Sequence, residues 1–414
     1  AGIVEYWARE RIVTRSSNRA RGCMAGKAGF FQLGTAAVVI AAAVFVVLRW
    51  NEFPVGAGMD DAYYVELARS MAEGRGPVIH LNEVLPDWRP DIFPLGFPLL
   101  LAPLALVFPG SVQVLKLVPL LGMIGLLPLC FMAAHKVGCR RGPALAALVC
   151  LNPWTVAHAT RVYSDLPFTA VLLAAIFLFL ETADRDRPSS GKFILLILLT
   201  GCAVMLRTVG FTLPLALGLA WLWKRRWRKV LWFGGGLAVV LLPHVLVSGL
   251  PGGGLITRGF LQQVFTGPGA ADCRVALWWN NFTGYLNEIP VAVLPLFGRP
   301  LENLASAAGL GPLYGPIQLA TGLLILAGVV WGWRKLAGRD TIRFLFPMIF
   351  LAVYGGVLLN FSGYPSGVQT RLLLPVLPLF YLGLLGLGGS TGRRTVILPA
   401  VAVILAFSTV HNIY

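Results

Sequence analysis

Three carboxylates stand at the borders of long apolar runs, where an ionisable group is conspicuous. Asp60 and Asp61 are adjacent, and Asp165 opens a later run. A carboxylate beside a hydroxyl can take its proton. Two carboxylates that face each other raise one pKa or hold a cation between them. Arg207 and Arg371 occupy comparable borders, and a guanidinium fork suits phosphate. This set of groups suits proton abstraction next to a phosphate leaving group, with arginine or a divalent cation stabilising the leaving charge. Structural roles compete with each assignment. Asp60 and Asp165 can serve as helix N-caps, and Asp61 is a first-turn acid favoured by the helix dipole. Arg161 suits a helix end or a partner for Asp165. Lys116, about one turn into a helix, suits snorkelling to headgroups.

Other motifs are weak. His80, His158 and His244 are scattered, without an HExxH pattern, and read as packed or interfacial. The cysteines Cys23, Cys130, Cys139, Cys150, Cys202 and Cys273 show no metal-ligand spacing. Only Cys273 is expected in an outer loop, so no structural disulfide is expected. There is neither a P-loop nor a GxGxxG before a helix, so a nucleotide sugar or ATP has no evident site. Trp278 and Trp279 read as interfacial anchors.

The elements that carry these residues are set by hydropathy. Of 414 residues, 57% are hydrophobic and 13% charged, with mean hydropathy +0.75. Apolar runs recur near the ~17–25 residues that cross a bilayer as a helix. They are continuous rather than alternating, which fits a helix bundle and not a barrel. The fold class expected is an all-α integral membrane protein with about eleven transmembrane helices. Their approximate spans are 33–49, 111–135, 143–160, 166–181, 193–208, 211–223, 230–248, 313–333, 344–360, 372–389 and 395–410.

Charge supports that count. With the N-terminus cytoplasmic, the inner segments hold 23 of the 34 basic residues, as the positive-inside rule requires. That pattern accounts for the net charge of +16 without nucleic acid as a partner. Twelve of the eighteen acids fall outside. Acids do not set topology, so an outward-facing polar site is one cause. Residues 1–32 form a cytoplasmic segment, 33–410 the transmembrane domain and 411–414 an outer C-terminus. The first apolar run lacks a small-residue cleavage site, so no cleavable signal peptide is expected. Met24 is a plausible natural start, and residues 1–23 carry little functional weight.

The large outer loops are 50–110 and 249–312. The first contains an amphipathic surface helix with apolar positions Tyr64, Leu67, Ala68, Met71 and Ala72, a stop at Gly74, and an Arg69–Glu73 pair. The Pro-broken segment 94–108 is expected to dip into the interface without crossing. The stretch 193–223, about 46 Å as one helix, has basic residues at both ends. It must reverse near Arg207, where a lipid-linked phosphate can meet the side chain.

Residues 58–76, from Gly58-Met59-Asp60-Asp61 to Glu73-Gly74-Arg75-Gly76, resemble the C-type multi-spanning glycosyltransferases (GT-C). The resemblance is to the bacterial branch related to protein O-mannosyltransferases and the lipid A aminoarabinose transferase. Three further segments resemble that family in order: Pro94–Leu101, Ser164–Thr169 and Arg371–Pro378. Together they cover about 33–389. The sequence departs from some relatives in showing no soluble C-terminal domain. The resemblance implies an inverting transferase, mannosyltransferase-like, that takes a sugar from a polyprenyl-phosphate donor. Its acceptor would be a lipid, glycan or protein, reached from the outer face of a bacterial inner membrane. It implies that Asp60 is the base. Asp165 is the candidate second catalytic carboxylate facing it, Asp61 a candidate substrate- or metal-facing partner, and Arg207, at the reversal, and Arg371, in a family-like segment, are the candidate phosphate ligands. A divalent cation remains open. The rival is a multi-spanning lipid or solute transporter. Transporters usually keep ionisable groups near the midplane, whereas here the helix centres are almost free of charge.

Overall fold

The computed structural model describes residues 36–51, 55–56, 60–79, 94–139, 141–182, 190–248, 274–338, 340–360, 369–388 and 394–413. The expected cytoplasmic segment 1–32 with Cys23, residues 80–93 with His80, and residues 249–273 with Cys273 lie outside the described residues.

The chain is an all-α, multi-pass membrane protein. Among the described residues five helices are long and apolar enough to cross a bilayer: α4 (Val112–Lys136), α7 (Asp165–Thr182), α10 (Trp227–Ser248), α13 (Gly311–Ala337) and α14 (Thr341–Asn360). Five more expected spans are shorter apolar helices: α1 (Ala36–Arg49), α8 (Ser190–Leu206), Thr208–Trp223, Thr370–Gly386 and part of α16 (Arg394–Ile413). Thr208–Trp223 is a 3-10 turn followed by α9 (Thr212–Trp223). Thr370–Gly386 is a 3-10 segment, Thr370–Val376, followed by α15 (Leu377–Gly386).

The span expected at 143–160 is instead two helices, α5 (Gly142–Cys150) and α6 (Pro153–Ala159). Asn152 breaks it. Its Oδ1 caps α6 by accepting from the Trp154 N–H at 2.9 Å, and Pro153 takes the first helical position, where no N–H is needed. The Asn152 amide donates to the Ala292 carbonyl at 2.8 Å and to the Tyr381 hydroxyl at 3.1 Å. The freed Leu151 carbonyl accepts from Asn412 Nδ2 at 3.1 Å. A broken helix at this depth is tolerated because neighbours re-satisfy its backbone.

In the first large loop, α2 (Asp60–Ala72) buries Tyr64, Leu67 and Ala68, as its helical spacing predicts. Gly74 follows at φ +77°, a stop that favours glycine. The expected Arg69–Glu73 pair does not form. Arg69 pairs instead with Glu66, one turn before it, and Glu73 with Arg75 just past the helix end. Helix α3 (Gly96–Val107) has 12 residues, about 18 Å at helical rise, well short of a bilayer. A Cβ at Gly96 would lie 2.5 Å from the Met205 carbonyl, so α3 starts directly against the end of α8.

The second large loop holds more structure than its reading as a loop allowed. It contains α11 (Arg274–Val293) and α12 (Arg299–Ala307). Trp278 donates to Asn360 Oδ1 at 2.9 Å, and Asn281 donates to the Leu359 carbonyl at 2.9 Å. These bonds tie α11 to the last turn of α14.

Two close approaches set the bundle. A Cβ at Gly122 would lie 2.6 Å from the Pro167 nitrogen, so α4 lies directly on the first turn of α7. A Cβ at Gly332 would lie 1.7 Å from the Gly383 carbonyl, and one at Gly386 would lie 2.5 Å from the Gly332 carbonyl. Small residues let α13 and α15 touch backbone to backbone. Gly332→Val is therefore expected to destabilise the bundle by about 1–3 kcal/mol or more. A drop in thermal midpoint of purified protein checks this, with Gly315→Val, which meets open space, as the unaffected control.

The two ends of α7 differ. At its C-terminal end Glu181 pairs with both Lys136 and Lys192. Its N-terminal end carries Asp165. Helices α8 and α10 run in the same direction, since Ile197 meets Gly236 and Gly201 meets Val240. The chain between them, α9, must return across the bundle, which places the reversal at Arg207–Phe211.

Candidate active site

Four segments distant in sequence meet at the Asp165 end of α7. Asp60 comes from the first turn of α2 and Asp165 from the first turn of α7. Arg207 comes from the reversal after α8 and Arg371 from the 3-10 segment. They form two ion pairs: Arg207 with Asp165, and Arg371 Nη1 with Asp60 Oδ2 at 2.7 Å.

The pairs differ in exposure. The Asp165 and Arg207 side chains are 2% and 14% exposed, whereas Asp60 and Arg371 are 26% and 24% exposed. Within the inner pair only Asp165 is sealed; Arg207 keeps a small open face, and the outer pair is the more accessible of the two. A buried pair persists only when its charges remain matched, so the inner pair fixes geometry while the outer pair can exchange partners.

Two tyrosines join the segments. Tyr64, one turn after Asp60, places its hydroxyl 3.3 Å from Ser164 Oγ, which docks α2 beside Asp165. Burial pushes the Tyr64 hydroxyl up to about 12, so it stays protonated. The Tyr163 ring lies 5.7 Å from the Arg371 guanidinium and 5.9 Å from that of Arg161. Cation–π contacts of this kind hold a guanidinium in place without neutralising it. Beside them, the His158 ring lies tilted against Tyr163 at 5.3 Å and directs Nδ1 to the Trp154 carbonyl at 2.7 Å.

The remaining sequence candidates sort by contact. Asp61 is 3% exposed; its Oδ2 accepts from the Gly56 N–H at 3.1 Å and its Oδ1 from the Ala62 N–H at 3.0 Å. It thus holds the entry to α2. Lys116 does not snorkel. It is 2% exposed, because the Trp50 carbonyl at the end of α1 accepts from its Nζ at 2.7 Å. The partner of Asp165 is Arg207, not Arg161. Tyr163, Tyr64 and Ser164 were missed as site residues: in an apolar run a tyrosine has no signal separating a ring that packs from one that supports a guanidinium.

Among the described residues no group of three or more His, Cys, Asp or Glu gathers to hold a metal ion. Each site aspartate is already matched by an arginine. The residues present do not form a ready cation cage.

No protein-family profile matches the chain, and no curated protein matches it. Solved structures do. ArnT from Cupriavidus metallidurans, bound to undecaprenyl phosphate, aligns over 87% of this chain with TM-score 0.57 and 18% identity. The Archaeoglobus fulgidus oligosaccharyltransferase, tethered to an acceptor peptide containing the NVT sequon, aligns over 92% with TM-score 0.56 and 13% identity. The chain shares the fold of these two structures. It spans 59% of the first of those chains and 55% of the second. On that shared fold the segments singled out in the sequence fall where the geometry gathers charge: Asp60, Ser164–Asp165 and Arg371 each lie in one of them.

Proposed function

We propose that this protein is an inverting glycosyltransferase that moves a sugar from a polyprenyl-phosphate carrier to a lipid, glycan or protein acceptor at the outer face of the membrane. One observation carries the reading: two Asp–Arg pairs, drawn from four separate segments, meet at one end of a bundle whose other end is basic. The fold shared with two transferase structures supports it. The donor class and inversion rest on that likeness and on the motifs at 58–76, 94–101, 164–169 and 371–378.

In this reading the lipid phosphate competes with Asp60 for Arg371, and Arg207 supplies the second positive charge, oriented by Asp165. Release from Arg371 frees the Asp60 carboxylate. Asp60 then takes the proton of the acceptor hydroxyl as its oxygen attacks the anomeric carbon. The bond from that carbon to the phosphate oxygen breaks, and the electron pair leaves on the polyprenyl phosphate, held by the two arginines.

A divalent cation between Asp60 and Asp165 is the alternative source of charge. The arginine reading expects turnover to be unchanged by EDTA. Loss of turnover restored by a divalent cation would replace it.

The rival is a transporter. Sealed vesicles carrying the protein and a fluorescent undecaprenyl-phosphate sugar separate the two. A transferase cleaves the sugar from the lipid; a transporter moves the intact lipid between leaflets. Redistribution without cleavage would overturn the proposal.

A further inference from the structure

Helix α11 lies in a stretch whose sequence reads as loop, yet it reaches the residues around Arg371. Four consecutive residues of that segment are tethered. The Tyr285 hydroxyl of α11 lies beside the Gln369 backbone. The Thr370 hydroxyl donates to Glu288 Oε2, also from α11. Arg371 Nε donates to Gln369 Oε1 at 2.6 Å, while its Nη1 holds Asp60. The Tyr354 hydroxyl of α14 donates to the Leu372 carbonyl at 2.6 Å. Tyr285 and Glu288 are three residues apart and so share a face of α11. Burial pushes the Glu288 carboxyl above the usual range, against the Thr370 bond; the chain keeps a half-buried acid at a cost where an apolar residue would pack freely.

Resting on the functional reading above, we propose that Glu288 is a positioning residue. Through the Thr370–Glu288 bond, α11 clasps the segment that aims Arg371, and so sets the affinity of the site for a lipid phosphate. Arg371 must leave Asp60 for the phosphate during each cycle. Its backbone must therefore stay fixed while the side chain exchanges partners, and the clasp supplies that fixity from outside the bundle helices. Preorganised donors of this kind need little rearrangement when charge arrives.

The test is binding of undecaprenyl phosphate to the purified full chain in detergent. Glu288→Ala and Thr370→Val are each expected to weaken binding about tenfold, the scale of one lost charge-assisted hydrogen bond. Glu288→Gln and Thr370→Ser keep an acceptor and a donor and should recover most of the affinity. The deciding variant is the double Glu288→Ala/Arg371→Gln. If Glu288 acts through Arg371, the double binds as Arg371→Gln alone. Thermal midpoints measured alongside identify a variant that has unfolded. Wild-type binding with Glu288→Ala unimpaired, or with additive losses in the double, overturns the clasp and leaves the donor reading intact. No binding by wild type overturns the donor reading, and the clasp with it.

Discussion

Asp165→Ala is expected to lose about 3–5 kcal/mol of stability, the usual cost of stripping one partner from a buried ion pair, and to lose sugar transfer. Arg207 is 14% exposed and Asp165 is 2% exposed, so neither charge can turn to water when the other is removed. Asp165 sits on the first turn of α7, pressed against Gly122 of α4, and Ser164 beside it holds Tyr64 of α2. An unmatched Arg207 therefore disturbs α2, α4 and α7 together. Thermal unfolding of detergent-solubilised protein checks the first part. The second part separates positioning from stability. The double variant Asp165→Leu/Arg207→Met removes both charges and is expected to regain much of the thermal midpoint, since a buried pair replaced by apolar groups is often neutral or better. It should not regain transfer, because Arg207 is needed at the phosphate. Recovery of both would reduce the pair to packing.

Asp60→Asn is expected to lower kcat by about 10²–10⁴, the range for removing a general base, with donor binding within a few-fold of wild type. The choice of Asn is deliberate. Asparagine caps a helix as well as aspartate does, and it can still accept a hydrogen bond from Arg371. A purely structural Asp60 would tolerate it. Only a role that needs the carboxylate as a proton acceptor predicts a large kcat effect with α2 intact. Asp60→Glu keeps the carboxylate but displaces it, and intermediate activity is expected.

The four charges of this site were legible in the sequence for a physical reason. In a chain only 13% charged, Asp60, Asp165, Arg207 and Arg371 stand out at the borders of apolar runs, where burial of a charge needs a purpose. The reversal at Arg207 was legible as well, since a 31-residue run flanked by Lys192 and Lys224 is too long for one helix. The pairing was not. Nothing local links Asp60 to Arg371 or Asp165 to Arg207; those matches depend on how α2, α7 and the 3-10 segment pack. The break at Asn152-Pro153 had a signal, an N-cap residue followed by proline, that the surrounding hydropathy masked. Helix α11 was hidden for a different cause. Asn281 and Glu288 interrupt its apolar face, so it reads as polar loop until Leu359 and Thr370 are seen to meet those side chains.

Lys116 shows the opposite failure. A lysine one turn into an apolar helix reads as snorkelling, because sequence does not reveal that the end of α1 brings the Trp50 carbonyl within 2.7 Å. Its stem and charge serve the junction between α1 and α4 instead of the membrane surface.

The central claim is that these charges release a sugar from a polyprenyl phosphate. The most direct measurement is release of labelled sugar from a radiolabelled undecaprenyl-phosphate sugar by purified wild type and Asp60→Asn side by side, with water as the fallback acceptor. Slow release by wild type is expected, with none above background from a folded Asp60→Asn protein. No release by wild type with any such lipid, or equal release by both proteins, would contradict it.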